Sequence, residues 1–92
     1  MTYRELLDTL PTMPEKERAD ILGRLWSALT TLSKNQLLAF QQTWDGTRPF
    51  VEFVHEQNNV FHECILMETS PIGAGVRAQM NLPAITLDDE IQ

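Results

Sequence analysis

Cysteine is nearly missing from this chain: Cys64 is the only one in 92 residues. One cysteine cannot close an intrachain disulfide, which excludes a disulfide-built secreted scaffold and points to a reduced, cytoplasmic setting. Basic residues are scarce too, with 7 Lys and Arg against 13 Asp and Glu and a formal net charge of −6. The imbalance lies in the second half: residues 46–92 hold two basic and seven acidic side chains, residues 1–45 five and six. Such a surface repels phosphate, which argues against direct binding of DNA or RNA. No apolar run nears the roughly 20 residues that a bilayer-spanning helix needs. No basic stretch leads into an apolar one at the start, so neither a signal peptide nor a membrane segment is expected. With 42% hydrophobic and 22% charged residues, what remains is one small domain over residues 1–92 with a modest core.

What the chain does contain is helix-start chemistry. Thr2 and Glu5, Thr12 and Glu15, and Ser33 and Gln36 each set a hydroxyl three residues before a Glu or Gln. That is the capping-box spacing, in which two backbone N–H groups are satisfied reciprocally. The first box predicts a helix over about Tyr3 to Leu10, apolar at Tyr3, Leu6, Leu7 and Leu10 and stopped by Pro11. The second, with Pro14 in its first turn, predicts a longer helix over roughly residues 13–31. Its apolar stripe is Ala19, Leu22, Leu25, Trp26, Leu29 and Leu32, opposite Glu15, Lys16, Arg18, Asp20 and Arg24. Gly23, in its middle, is expected to mark either a close helix contact or a kink, the contact being the commoner reason. Across residues 34–44 both periods occur: Leu37, Phe40 and Trp44 suit a helix, and Phe40, Gln42 and Trp44 a strand. The expectation is a helical turn at 33–38 and then a strand ending at Asp45-Gly46.

Beyond Gly46 the apolar period drops to two. Val51, Phe53 and His55 alternate with Phe50, Glu52, Val54 and Glu56; Val60, His62, Cys64 and Leu66 alternate with Phe61, Glu63, Ile65 and Met67. Gln57-Asn58-Asn59 between them predicts the turn of an antiparallel hairpin. Thr69 to Gly75 reads as a loop, Val76–Met80 and Ala84–Leu87 as short strands, and residues 88–92 as a frayed acidic tail. The expected fold class is therefore α+β, with N-terminal short helices packed on a small antiparallel sheet.

Met1-Thr2-Tyr3-x-Glu5-Leu6-Leu7-x-x-Leu10, followed by Leu32-Ser33-x-x-Gln36-Leu37 and Trp44-Asp45, carries a family likeness. It resembles a group of small uncharacterised bacterial proteins that open with a capped helix and pass through an L-S-x-x-Q-L turn. Their next element is a strand ending in an aromatic-Asp pair. The resemblance spans about half the chain; it implies a small α+β fold and no activity.

For chemistry, the hairpin set His55, Glu56, His62, Glu63 and Cys64 comes first. Cross-strand pairing would bring His55 opposite His62 and near Cys64, the donor types that zinc takes. The spacing matches no standard zinc signature, and the same residues serve equally as cross-strand partners around a small core thiol. Nucleophilic and phosphate-cradling motifs are weaker: Ser70 lacks a Gly-x-Ser-x-Gly elbow, and Gly73-Ala74-Gly75 lacks a third glycine. No cofactor and no enzymatic activity are expected. Two Trp, four Phe and four Met exceed what so small a core readily hides, which favours a protein-interaction module. Its partner would be itself or another protein, met through Leu22, Leu25, Trp26 and Leu29 with Trp44 in support. A different use of the acidic half, with Glu52, Glu56, Glu63 and Glu68 on the hairpin, is that of a decoy occupying a basic protein.

Overall fold

A computed structural model describes residues 1–91, and among them there is no β-strand. Five α-helices are formed among the described residues: α1 (Tyr3–Thr9), α2 (Glu15–Leu25), α3 (Thr31–Gln41), α4 (Phe50–Glu68) and α5 (Pro71–Gln79). One-turn 3-10 segments at Leu10–Thr12 and Trp26–Ala28 continue α1 and α2. The α+β expectation, and the sheet on which the helices were to pack, are thereby corrected. In its place stands α4, the spine against which α1, α3, α5 and the Leu10–Thr12 turn are laid.

Of the three expected capping boxes, only the first forms. Glu5 N donates to Thr2 Oγ1 at 3.1 Å, and Thr2 N to Glu5 Oε1 at 3.5 Å. Pro14, not Thr12, precedes α2, and the Thr12 hydroxyl turns back to donate to Thr9 O. Ser33 lies inside α3, whose cap is Thr30: the Ser33 amide donates to Thr30 Oγ1 at 3.3 Å. The helical stripe of α2 also falls about one residue from its expected place. Its buried members are Arg18, Ile21 and Leu25, so Arg18 belongs to the inner face, where its Nη2 donates to Met13 O. Gly23 faces open space, with nothing within 4 Å of an added Cβ, so it marks no helix contact.

The region read as strands and loop is helix. Residues 40–41 finish α3, and the strand expected there is absent among the described residues. Asp45-Gly46 does turn the chain: Gly46 takes φ 82°, and Asp45 Oδ1 accepts from Thr47 N at 3.0 Å and Thr47 Oγ1 at 2.7 Å. The hairpin of residues 50–67 is one helix of 19 residues, running straight through the Asn58-Asn59 pair. Buried Phe53, Phe61, Cys64, Ile65 and Glu68 follow helical spacing, because each packs toward the other helices and not across a sheet. Thr69–Gly75 is not a loop but the cap and first half of α5. Ser70 Oγ accepts from Gly73 N at 3.1 Å, and Pro71 fills the first turn. Val76–Met80 completes α5 and its exit.

That exit is a Schellman closure, with Leu82 N donating to Arg77 O at 2.8 Å, Asn81 N to Ala78 O at 3.2 Å, and Asn81 at φ 58°. Residues 82–91 then return as a strap without strand pairing over 84–87; only an isolated bridge joins Thr2 to Glu90. The strap supplies what α1 lacks. Tyr3 N donates to Asp89 O at 3.2 Å and Arg4 N to Leu87 O at 2.8 Å, which satisfies the two first-turn amides that the Thr2 cap leaves open. Gln92, last of the expected acidic tail, lies outside the described residues. Tyr3, Leu6, Leu10, Leu25, Leu29, Phe61 and Ile65 form the heart of the core, and Ile85, Leu87 and Ile91 of the strap pack against it.

Candidate functional site

With the hairpin gone, the expected zinc ligands are not brought together. His55 and His62 lie seven residues apart on α4, about 10 Å along the axis at 1.5 Å per residue. They flank Asn58 and Asn59 above Leu7, Leu10 and Pro11. Cys64 faces elsewhere: it is fully buried, with its Sγ 3.6 Å from Gln36 Oε1. Burial pushes the thiol up to about 11, so it stays protonated at neutral pH. No group of three or more His, Cys, Asp or Glu is placed to hold a metal ion among the described residues.

The expected contact residues divide. Leu25 and Leu29, each 3% exposed, are core. Leu22 and Trp26 are half-buried and pack onto it, with the Lys34 ammonium 6.0 Å from the Trp26 ring centre. Trp44 lies apart from them in a second apolar cluster built where α3 meets α4. Phe40 stacks on Phe53 (5.1 Å between centres, 10° between planes), and Trp44 tilts onto Phe53 at 4.9 Å. Trp44 also meets Phe50 edge-on at 5.9 Å. Such offset and edge-on geometries are those that aromatic quadrupoles favour. Phe53 is the buried hub, yet it is not part of the main core. Phe50 in this cluster remains exposed, as does Val51, the next residue of α4, by 79%. The loop under this tip is braced by Arg48 donating to Glu56 Oε2 at 2.8 Å.

The glutamates expected on one hairpin face serve different ends. Glu52 and Glu63 are exposed, Glu56 pairs with Arg48, and Glu68 is fully buried. Glu68 Oε1 accepts from Thr30 N and from Arg77 Nη1, while Oε2 accepts from Thr30 Oγ1 at 2.6 Å and Ser33 Oγ at 2.8 Å. Arg77 in turn donates to Ala28 O at 2.8 Å and Pro83 O at 2.7 Å. Both carboxylate oxygens are satisfied by two donors each, so this buried charge is a structural staple joining α3, α4, α5 and the strap. Sequence reading passed over it because its members are spread over more than fifty residues and match no motif. A Glu and an Arg nine residues apart, on helices separated by Ser70-Pro71, were the available signal.

No protein-family model matches the chain, and no curated protein or solved structure shows significant similarity to it. No helix among the described residues is long and apolar enough to cross a membrane.

Proposed function

We propose that this protein is a small, non-enzymatic helical interaction module of the cytoplasm that associates with a second copy of itself through the aromatic tip of α3 and α4. The observation that carries the reading is the separation of that tip from the core. Three aromatic rings are organised around Phe53, while Phe50 of that cluster and its neighbour in the chain, Val51, are 51% and 79% exposed. An apolar patch of this kind, held in fixed geometry, is what a partner surface covers. Two copies related by a two-fold axis would cover it with one and the same surface. The tip takes over from the Trp26 face as the favoured contact, since half of that face is core.

Native mass spectrometry and light scattering of the protein at micromolar concentration test the reading. A dimer is expected for the wild type. Val51→Glu, at a side chain with almost no native packing to lose, is expected to yield a monomer with unchanged helicity. A wild-type monomer, or a Val51→Glu dimer, overturns the proposal.

A further inference from the structure

A groove of about 460 Å³ runs between the C-terminal end of α2 and the strap, lined by Tyr3, Arg24, Leu25, Arg77, Ile85 and Asp89 among others. That volume falls in the range of roughly 300–1,000 Å³ typical of small-molecule sites. At its base lies Arg77, only 2% exposed. Its Nε and Nη1 are occupied by Pro83 O, Ala28 O and Glu68, whereas Nη2 has no partner among the described residues. Nη2 is not sealed in either: the sealed side-chain atoms without partners are Arg18 Nε and Nη1 and Asn58 Oδ1. A fixed, almost wholly buried guanidinium that lines the groove thus keeps the two N–H bonds of Nη2 without a protein partner among the described residues. The Tyr3 hydroxyl has the same status, unpartnered and unsealed on a residue 6% exposed. Burial raises its pKa, so it remains a donor at neutral pH.

The remaining walls narrow the ligand. Leu25, Ala28, Ala84 and Ile85 offer apolar surface. Arg24 lines the groove from α2, held only by an exposed pair with Asp20 at 3.3 Å, a contact of little strength. Asp89 and Glu90 line it from the strap. Asp89 commits one oxygen to Thr86 N and Glu90 one to the Met1 amino group, leaving the other oxygen of each carboxylate free among the described residues. A plain anion would meet these two carboxylates, and a plain cation would meet Arg24 and Arg77. A molecule carrying both charges meets complementary groups for each. We infer that the groove binds a small zwitterion with an aliphatic body, of the α-amino-acid class. Its carboxylate is received by Arg77 Nη2, Tyr3 Oη and Arg24, and its ammonium by Asp89 and Glu90.

An NMR amide titration with L-leucine tests this, run up to about 10 mM to cover the millimolar affinity open to so small a ligand. Leucinamide, which lacks the carboxylate, and 4-methylpentanoate, which lacks the amine, serve as controls. L-leucine is expected to shift amides of residues 24–28 and 84–90, with both controls at least about tenfold weaker. Tyr3→Phe keeps the ring and removes one donor; its expected effect is a weakening of about three- to tenfold, with the fold intact by circular dichroism. No groove shifts with L-leucine, equal binding of either control, or undiminished binding by Tyr3→Phe each overturns the assignment.

Discussion

Gly23 and Gly73 both lie inside helices, yet a methyl group added to each meets opposite surroundings. At Gly23 it meets nothing within 4 Å, so Gly23→Ala relieves the entropic penalty of glycine without a clash. A gain of about 0.5–1 kcal/mol by denaturant titration is expected. At Gly73 the added Cβ would lie 1.8 Å from the Met67 carbonyl oxygen, which is backbone and cannot step aside. Gly73→Ala must pry α5 from the end of α4, with an expected loss of roughly 2 kcal/mol or more. Cys64 offers a second measurement. Its thiol, raised from 9.0 to about 11 by burial, should ignore a disulfide reagent at pH 8 until the chain unfolds. Because the folded state holds this proton more tightly, stability should fall as pH rises from 9 toward 11. A flat stability profile across that window would contradict the assignment.

Among the elements, the junction of α3, α4 and α5 depends on one buried ion pair whose carboxylate is fully hydrogen-bonded. Removing only one partner leaves a charge buried without compensation. Glu68→Leu or Arg77→Met alone is therefore expected to cost about 3–5 kcal/mol. The double variant leaves no charge behind and should cost less than the sum of the two. A double-mutant cycle by urea unfolding reads that coupling, and strict additivity would show that the pair does not act as a unit. The same junction explains how the sequence misled. Val, Phe and Ile alternate across residues 50–67, and β-branched and aromatic residues suit strands. Yet no Gly or Pro falls between Pro49 and Pro71, and Ser70-Pro71 is a helix-start pair. Phe53, Gln57, Phe61, Cys64 or Ile65, and Glu68 trace a helical face, obscured because two of its five positions are polar.

For the molecule as a whole, the extents of 40 × 24 × 19 Å describe a rod whose long direction leaves room for two apolar centres. One is the core around Leu6 and Phe61; the other is the aromatic tip. Self-association through the tip brings two chains of net charge −6 together, so like-charge repulsion opposes it. Raising salt from about 0.05 to 0.5 M is thus expected to tighten the dimer, seen as a lower dissociation constant in sedimentation. Weakening by salt would point to an interface made by ion pairs instead.

The first helix and its Thr2–Glu5 cap could be read from the chain because neighbours within four residues decide them, although Pro11 does not stop the helical path but sits within the 3-10 turn that extends it. The body of α2 could be read for the same reason, as could the turn at Asp45-Gly46. The identity of α4 could not, since an apolar residue is equally content against a sheet or a helix until its partner is known. Nor could the sequence show that Glu68 and Arg77 are core, that Cys64 and the two histidines face apart, or that the acidic strap completes α1. Those outcomes rest on contacts between residues far apart in the chain, such as Tyr3 with Asp89 of the strap, 86 positions on. Local chemistry chose where helices could begin and end, and packing chose which surfaces they buried.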